Sequence, residues 1–440
     1  MHGGIESVTE PSIDAPLVDR VAMLSVHTSP IAELGGPDSG GMNVYVNELG
    51  RWLARTGINV DIFTRRTDTV TPRVLELDDG LRLIQIEAGP PHRIHKDELF
   101  CHMPDFASDM AYFALQQGVR YDVVHGHYWL SGWAAQLLKE HWHAPTVHMY
   151  HTMAHLKNAV ANGEHRETIL RLQIERRLVD IADGLVAANP HERKEMIDRL
   201  GASPDQIHLV PPGVDLELFQ PHDQQQARAE LGLPDGPLVL FVGRIDPVKG
   251  IDTLFDGFKR LCESRDWDGQ PPTLLFIGGT IDEDRGESGM DEDLRQVKAD
   301  AEALGIEDRI MFLGSISREV LPLYYSAADV CTVPSRYESF GLVAVEAMAC
   351  GTPIVASRVG GLQFTIQDQQ SGILVPHSDH VALASGLERA LTDEALVRKM
   401  TAGARRAAIR YSWQMVSSSV VDVYQQLVDG PVPEPVRIAR

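Results

Sequence analysis

The sequence predicts an α/β protein made of two doubly wound parallel sheets that face each other across a cleft. Three observations predict it. Short apolar runs alternate with helical periodicity in two series, one over residues 20–215 and one over 216–411. Between the series lies DLELFQPHDQQQARAELGLPDG, a polar stretch marked by Pro and Gly, as domain linkers are. A chain of 440 residues also exceeds what one core ordinarily organises.

The first run, RVAMLSVH (20–27), is read as a strand ending at His27. Residues 1–19 lack a cationic start and an apolar stretch, so a disordered extension is expected there and not a signal peptide. Asp38-Ser39-Gly40-Gly41 makes a turn, and helical periodicity runs from Met42 through Asn43 to Arg55. Glycines at a strand-to-helix junction let a pyrophosphate approach the N–H groups at the positive helix end. A plain βα turn could carry the same letters. Neither the GK[ST] of a P-loop nor the dinucleotide spacing is present. NVDIFTR (59–65) and LRLIQIE (81–87) continue the sheet, and PPHRIHKDEL (90–99) is expected to be a loop with Lys96 solvated. A helix over 104–118 precedes YDVVHGH (121–127), which opens into Tyr128 and another helix. APTVHMYHT (144–152) ends in His151-Thr152. Polar ends of several strands meeting at one sheet edge favour a pocket, because ligands of open α/β sheets collect there. A long helix over 164–182 carries Arg171 four residues before Glu175, a spacing that equally suits a simple pair on one face. DGLVAANP (183–190) and QIHLVPPGVD (206–215) complete this half.

The second series opens with LVLFVG (238–243), which runs into Arg244, and Lys249 precedes a helix. Two cations at a βα junction suit an anionic diphosphate; an Asp246–Lys249 pair on a surface loop is the alternative. PTLLFIGG (272–279) and DRIMFLGSI (308–316) are strands, and ADVCTVPS (328–335) leads into the most informative stretch, PSRYESFGLVAVEAMACGTPIVASRVGG (334–361). Ser339 is taken as the N-cap of a helix that stops at Cys350-Gly351, with IVAS after Pro353 as a buried strand. Glu338 then sits just before the helix, where backbone N–H groups point outward and the dipole is positive. Glu346 falls about two turns on, among Val, Ala and Met. A carboxylate there needs a partner: ribose hydroxyls, a neighbouring backbone group or an Arg. GILVP (372–376), helices over 380–391 and 394–409, and a last helix to about Leu427 follow; residues 430–440 are expected to be a disordered tail.

The net charge of −22 argues against nucleic acid, and requires any phosphate site to be built from specific cations. No apolar run reaches a membrane span. The four cysteines (Cys101, Cys262, Cys331, Cys350) form no CxxC, so a reducing, cytoplasmic compartment is expected. The 18 histidines offer no zinc spacing.

The 334–361 stretch resembles the Glu-x7-Glu donor-sugar motif of retaining, nucleotide-sugar-dependent glycosyltransferases of the GT-B fold, family four. The resemblance implies two Rossmann-like domains, an acceptor-side one at 20–215 and a nucleotide-sugar one at 216–411, with a final helix at 412–429 crossing back. It gives Glu338 the donor sugar's hydroxyls and Glu346 the ribose, and turns the N–H groups of Phe340, Gly341 and Leu342 toward sugar and diphosphate. It assigns the diphosphate to Gly40-Gly41, Arg244 and Lys249, and the nucleobase to the backbone around Ser315. His151 would contact the donor sugar near its transferred face. SVHTSP, DSGGMNVYV, KDEL, HYWLSG, the HT pair with LKN, and ESFGLVAVEA are together similar to the inositol-phosphate N-acetylglucosaminyltransferases of mycothiol synthesis, from Arg20 to about Leu427. That similarity implies an acceptor phosphate held by Lys96, Tyr128, Thr152 and Arg171, and acceptor contacts from His27, Asp38, Ser39, Gly41, Met42 and Asn43. The N-terminal extension, AHLKN where AAVKN is usual, and LPLYYSAAD depart from the pattern and leave donor sugar and acceptor open.

The expected reaction is transfer of a sugar, N-acetylglucosamine above all, from a UDP-sugar to a small phosphorylated acceptor such as inositol phosphate. Retention is implied by the resemblance: no enzymic carboxylate nucleophile lies under the anomeric carbon, and the departing diphosphate helps deprotonate the acceptor. A sucrose-phosphate-type synthase is one alternative. A nucleotide-sugar-binding protein without turnover is another, against which stands the filled set Gly41, His151, Arg244, Lys249, Glu338 and Glu346. Relatives carry a Mg²⁺ on backbone groups of the second domain, but there is no Asp-x-Asp here and no cofactor is expected to be required. Neither nucleic acid nor an integral membrane is an expected partner; a homodimer is left open.

Overall fold

The computed structural model describes residues 18–32, 40–160, 166–281 and 289–430. Its first sheet has eight strands: β1 (Arg20–Leu24), β2 (Asn59–Arg65), β3 (Val74–Asp78), β4 (Leu81–Ile86), β5 (Val123–His127), β6 (Thr146–Met149), β7 (Gly184–Ala187) and β8 (Ile207–Leu209). They lie in the order β3-β4-β2-β1-β5-β6-β7-β8. The second sheet has six: β9 (Leu238–Val242), β10 (Thr273–Ile277), β11 (Ile310–Gly314), β12 (Val330–Val333), β13 (Ile354–Ser357) and β14 (Ile373–Val375), in the order β11-β10-β9-β12-β13-β14. Helices cover both faces of each sheet, which is why most strands read as continuous apolar runs.

Two doubly wound sheets were expected, and two are present, but the first is not wholly parallel. β3 pairs antiparallel with β4 at the sheet edge. Its sequence VLELD exposes acidic residues on one side, and so lacks the apolar run that marks the inner strands. The strands flanking each active edge are also shorter than their letters suggested. Thr146–Met149 stands within the 144–152 run, because the chain leaves the sheet before His151-Thr152.

Strand order reverses at two places, between β1 and β5 and between β9 and β12. Such switch points open a crevice beyond the carboxyl ends of the strands. His27 follows β1 and Tyr128 follows β5; Arg244 follows β9, and the Glu338 segment follows β12. The fold therefore delivers candidate residues from distant parts of the chain to two crevices.

The final helix, Trp413–Asp429, lies against the first domain. Trp413 meets the Tyr45 ring edge-on at 5.5 Å, and the Tyr424 hydroxyl lies 2.7 Å from His125 Nδ1. Val214 donates its N–H to the Tyr411 carbonyl at 2.7 Å, tying the end of the first sheet to the start of that helix. No helix among the described residues is long and apolar enough to cross a membrane.

Candidate active site

On the second domain the helix Leu342–Cys350 begins two residues later than a Ser339 cap would place it. Its N-cap is Gly341, at φ 92°, a conformation side chains resist. A Cβ there would also lie 2.4 Å from Leu362 Cδ2. Ala344 and Val345 donate back to the Gly341 carbonyl at 3.0 and 3.2 Å, and the N–H groups that open a helix have no carbonyl a turn earlier to meet. Glu338 precedes this turn. Its carboxylate is held by Lys249 Nζ at 2.6 Å and by the Ser335 hydroxyl at 3.3 Å. Lys249 therefore pairs with Glu338, where an Asp246 pair was the alternative on sequence. Asp246 instead caps its own short turn by accepting from the Val248 N–H. Gly250, at φ 68°, lets this turn press on the Pro334 carbonyl, and the Arg336 N–H completes the dock on Val248.

Glu346 is buried, and the Tyr325 hydroxyl donates to its Oε2 at 2.9 Å. Burial raises its carboxyl above the ordinary value, against the pull of Arg318 and of the Tyr325 bond. The partner it needed is thus supplied in part by the protein. Phe340 is buried against Tyr411, and Ser315 is exposed just past β11.

The first domain closes over this site at Gly40 and Gly41. A Cβ on Gly40 would stand 3.5 Å from Arg244 Nε, and one on Gly41 would stand 3.1 Å from Leu342 Cδ1. The helix Gly41–Arg55 starts here. Asn43, the third residue of that helix, accepts from the Gly40 N–H at 2.9 Å and donates to Thr28 Oγ1 and the Ser29 carbonyl. Its amide is spent on fastening the loop, so a direct acceptor contact would have to displace those bonds. Met42 is half-buried beside it. Asp38 and Ser39 lie outside the described residues.

His151 and Tyr128 both take positive φ, 57° and 75°, strain of the kind that gathers at functional strand ends. His151 Nε2 and His127 Nδ1 lie 3.0 Å apart. Burial holds both rings well below the ordinary imidazole value, and neighbouring histidines add to it, so both are neutral and one donates to the other. The His27 ring lies tilted against Tyr128 with centroids 4.3 Å apart, and burial, Lys96 and Arg171 lower its pKa to about 3.

Lys96, Tyr128, Thr152 and Arg171 come together. Arg171 is 1% exposed. Its Nη1 donates to the Tyr128 hydroxyl at 2.9 Å, and its Nη2 donates to the Thr152 carbonyl at 2.8 Å and hydroxyl at 3.1 Å. Its Nε donates to Glu175 at 2.7 Å, so the pair and the pocket coexist. Lys96 is not on a plain loop: it opens the short 3-10 helix Lys96–His102, which aims it inward. Two further members escaped sequence reasoning. Glu167 contacts Arg171 at 2.9 Å and Lys96 at 3.8 Å, and Lys157 reaches Glu167 at 2.7 Å. Glu167 stands four residues before Arg171, a spacing that marks a simple helix-face pair but not its contacts with Lys96 and Lys157. Lys157 stood in the LKN letters but had no assigned role.

Across the cleft, Asn189 Nδ2 donates to the Ser339 carbonyl at 2.6 Å, and Ser339 Oγ donates to Glu192. Arg318 pairs with Glu48 at 2.7 Å. No group of three or more His, Cys, Asp or Glu side chains among the described residues could hold a metal ion.

Two family models cover most of the chain: "Glycosyltransferase Family 4" matches residues 39–218 and "Glycosyl transferases group 1" matches residues 223–407. A D-inositol 3-phosphate glycosyltransferase of Xylanimonas cellulosilytica is 42% identical over 416 residues, 92% of this chain and 96% of that one. One from Jonesia denitrificans is 41% identical over 92% of this chain and 96% of its own. Among solved structures, the sucrose-phosphate synthase of Thermosynechococcus elongatus superposes with a TM-score of 0.84 at 37% identity, covering 93% of this chain and 99% of that one.

Proposed function

We propose, from the premise that the chain belongs to the family 4 glycosyltransferases of the GT-B fold, that it moves a sugar from a UDP-sugar to a small phosphorylated acceptor with retention at the anomeric carbon. N-acetylglucosamine and an inositol phosphate are the specific pair, as the relatives named for D-inositol 3-phosphate suggest. The observation that carries the acceptor half is the cation cluster. In an acidic chain, Lys96, Lys157 and Arg171 converge with the Tyr128 and Thr152 hydroxyls at the edge of the first sheet, beside His151.

In this reading residues 20–215 with the crossing helix form the acceptor side, and residues 216–411 the donor side. Glu338 takes the donor sugar's hydroxyls, held in place by Lys249. Glu346 takes the ribose, and Ser315 lies by the nucleobase. Arg244, Lys249 and the N–H groups from Phe340 to Leu342 and at Gly41 surround the diphosphate. The bond from anomeric carbon to phosphate oxygen breaks as the acceptor oxygen attacks the same face. The acceptor proton passes to the departing diphosphate. Preorganised cations and N–H groups then stabilise the charge that develops on that leaving group. His151, kept neutral by burial, offers a hydrogen-bonding ring at the transferred face. No metal is needed for these steps. A cytoplasmic location accords with four free cysteines.

The 37% identity to a sucrose-phosphate synthase favours a second reading, with UDP-glucose and a hexose phosphate. Incubation with UDP-N-acetylglucosamine or UDP-glucose, each with inositol 3-phosphate or fructose 6-phosphate, separates the two by UDP release. The main reading expects turnover with the first donor and inositol 3-phosphate. Turnover confined to UDP-glucose and fructose 6-phosphate would replace it with the second.

A further inference from the structure

Arg171 is already heavily engaged. Its guanidinium donates to Glu175, Tyr128 and the Thr152 carbonyl and hydroxyl, and Nη1 is ion-paired with Glu167 at 2.9 Å. The Glu167 carboxylate is 5% exposed and lies where cations converge: Oε2 is 2.9 Å from Arg171 Nη1, and Oε1 is 2.7 Å from Lys157 Nζ and 3.8 Å from Lys96 Nζ. Three cations against Glu167 and Glu175 leave one net positive charge, too little for a phosphate dianion added on top. With Glu167 withdrawn, the same dianion would be balanced.

We propose that Glu167 is an internal anion that occupies the acceptor-phosphate position, and that only an acceptor bringing a phosphate displaces it. The inference rests on the acceptor reading above and names the residue that sets its selectivity. Lys157 is thereby a further phosphate-binding residue. The local chain permits the exchange. Glu167 precedes Thr168, the N-cap of the Ile169–Ile181 helix, so its side chain can swing out without breaking a helical bond. Its backbone stays anchored meanwhile, because its N–H donates to Asn158 Oδ1 at 2.7 Å. Protonation does not remove it. Burial alone would raise its carboxyl, but Arg171, Lys157 and Lys96 outweigh burial and bring it down to about 2. An uncharged sugar hydroxyl cannot compete with a carboxylate for a guanidinium and an ammonium; a phosphate can.

The test is titration of inorganic phosphate into the full chain by calorimetry, wild type against Glu167→Gln. The variant should bind phosphate about tenfold to hundredfold more tightly, the scale of one charge-assisted hydrogen bond no longer displaced. Its KM for inositol 3-phosphate should fall in the same direction. Equal or weaker phosphate binding would overturn the inference and make Glu167 a fixed part of the scaffold. If the variant is too unstable to titrate, melting decides. Phosphate should raise its Tm by more than that of the wild type, and equal shifts refute the proposal. The acceptor reading fails separately, if wild type uses phosphorylated and unphosphorylated acceptors at equal rates.

Discussion

At the scale of single residues, the site runs on carboxylates whose neighbours give each a different task. Glu338 is bound to Lys249, whereas Glu346 is buried and already accepts a hydrogen bond from the Tyr325 hydroxyl. Glu346→Ala should therefore weaken UDP itself, and Glu338→Ala should spare UDP while weakening the intact UDP-sugar. Equal UDP losses in calorimetry would show that the two do not divide donor binding this way. A third carboxylate makes the molecule pH-sensitive. Burial lifts Glu192 from 4.5 to about 7, against the Ser339 and Ala188 bonds that pull it down. The folded state thus prefers Glu192 protonated. Its favourable contribution is complete below about pH 4.5 and is lost as pH rises toward 7, a change of roughly 3 kcal/mol at most. Glu192→Gln should flatten that part of the stability profile in urea titrations run at successive pH values. An unchanged slope would mean that another group carries it.

At the scale of elements, the sequence disclosed whatever a single segment contains. Buried strands announced themselves as apolar runs, and the Glu338–Gly361 stretch held its carboxylates, helix and strand within one window. What it could not disclose either left no apolar run or was assembled from several segments. β3 is an exposed edge strand with alternating letters and gave no run to read. Glu167 pairs with Arg171 at i,i+4 spacing, but it also meets Lys96 and Lys157, which no spacing rule joins to it. The cap of the donor helix moved from Ser339 to Gly341 because a left-handed turn brings the chain against Leu362, and a capping propensity cannot see Leu362. That turn is testable. In Gly341→Ala the new methyl meets Leu362 at 2.4 Å in a backbone conformation that costs an L-residue about 1–3 kcal/mol. The N–H groups of the first turn should tilt away, raising KM for the donor several-fold while the acceptor KM stays put. A variant with wild-type donor KM would remove those N–H groups from donor binding.

At the scale of the whole molecule, one residue both pairs across the two domains and stands by the buried carboxylate Glu346. Arg318 pairs with Glu48 of the first domain at 2.7 Å, with 14% and 8% of the two side chains exposed. It also stands near enough to Glu346 to lower that carboxyl. Parting the two domains would return Glu48 and Arg318 to water. Removing one partner strips the other of its ion pair in the closed form, a cost of at most roughly 3–5 kcal/mol that opening relieves, and smaller for Arg318, which keeps Glu346 nearby. Both Glu48→Gln and Arg318→Ala should therefore shift the free enzyme toward an open form, seen as a larger radius of gyration in small-angle scattering. The two should differ on the nucleotide. Arg318→Ala removes a cation from the neighbourhood of Glu346 and should change UDP affinity by two routes, whereas Glu48→Gln acts through opening alone. Saturating UDP should close Glu48→Gln back to the wild-type dimension. If neither variant expands, the Ser339 contacts with Asn189 and Glu192, together with the crossing helix, hold the domains without help from the ion pair.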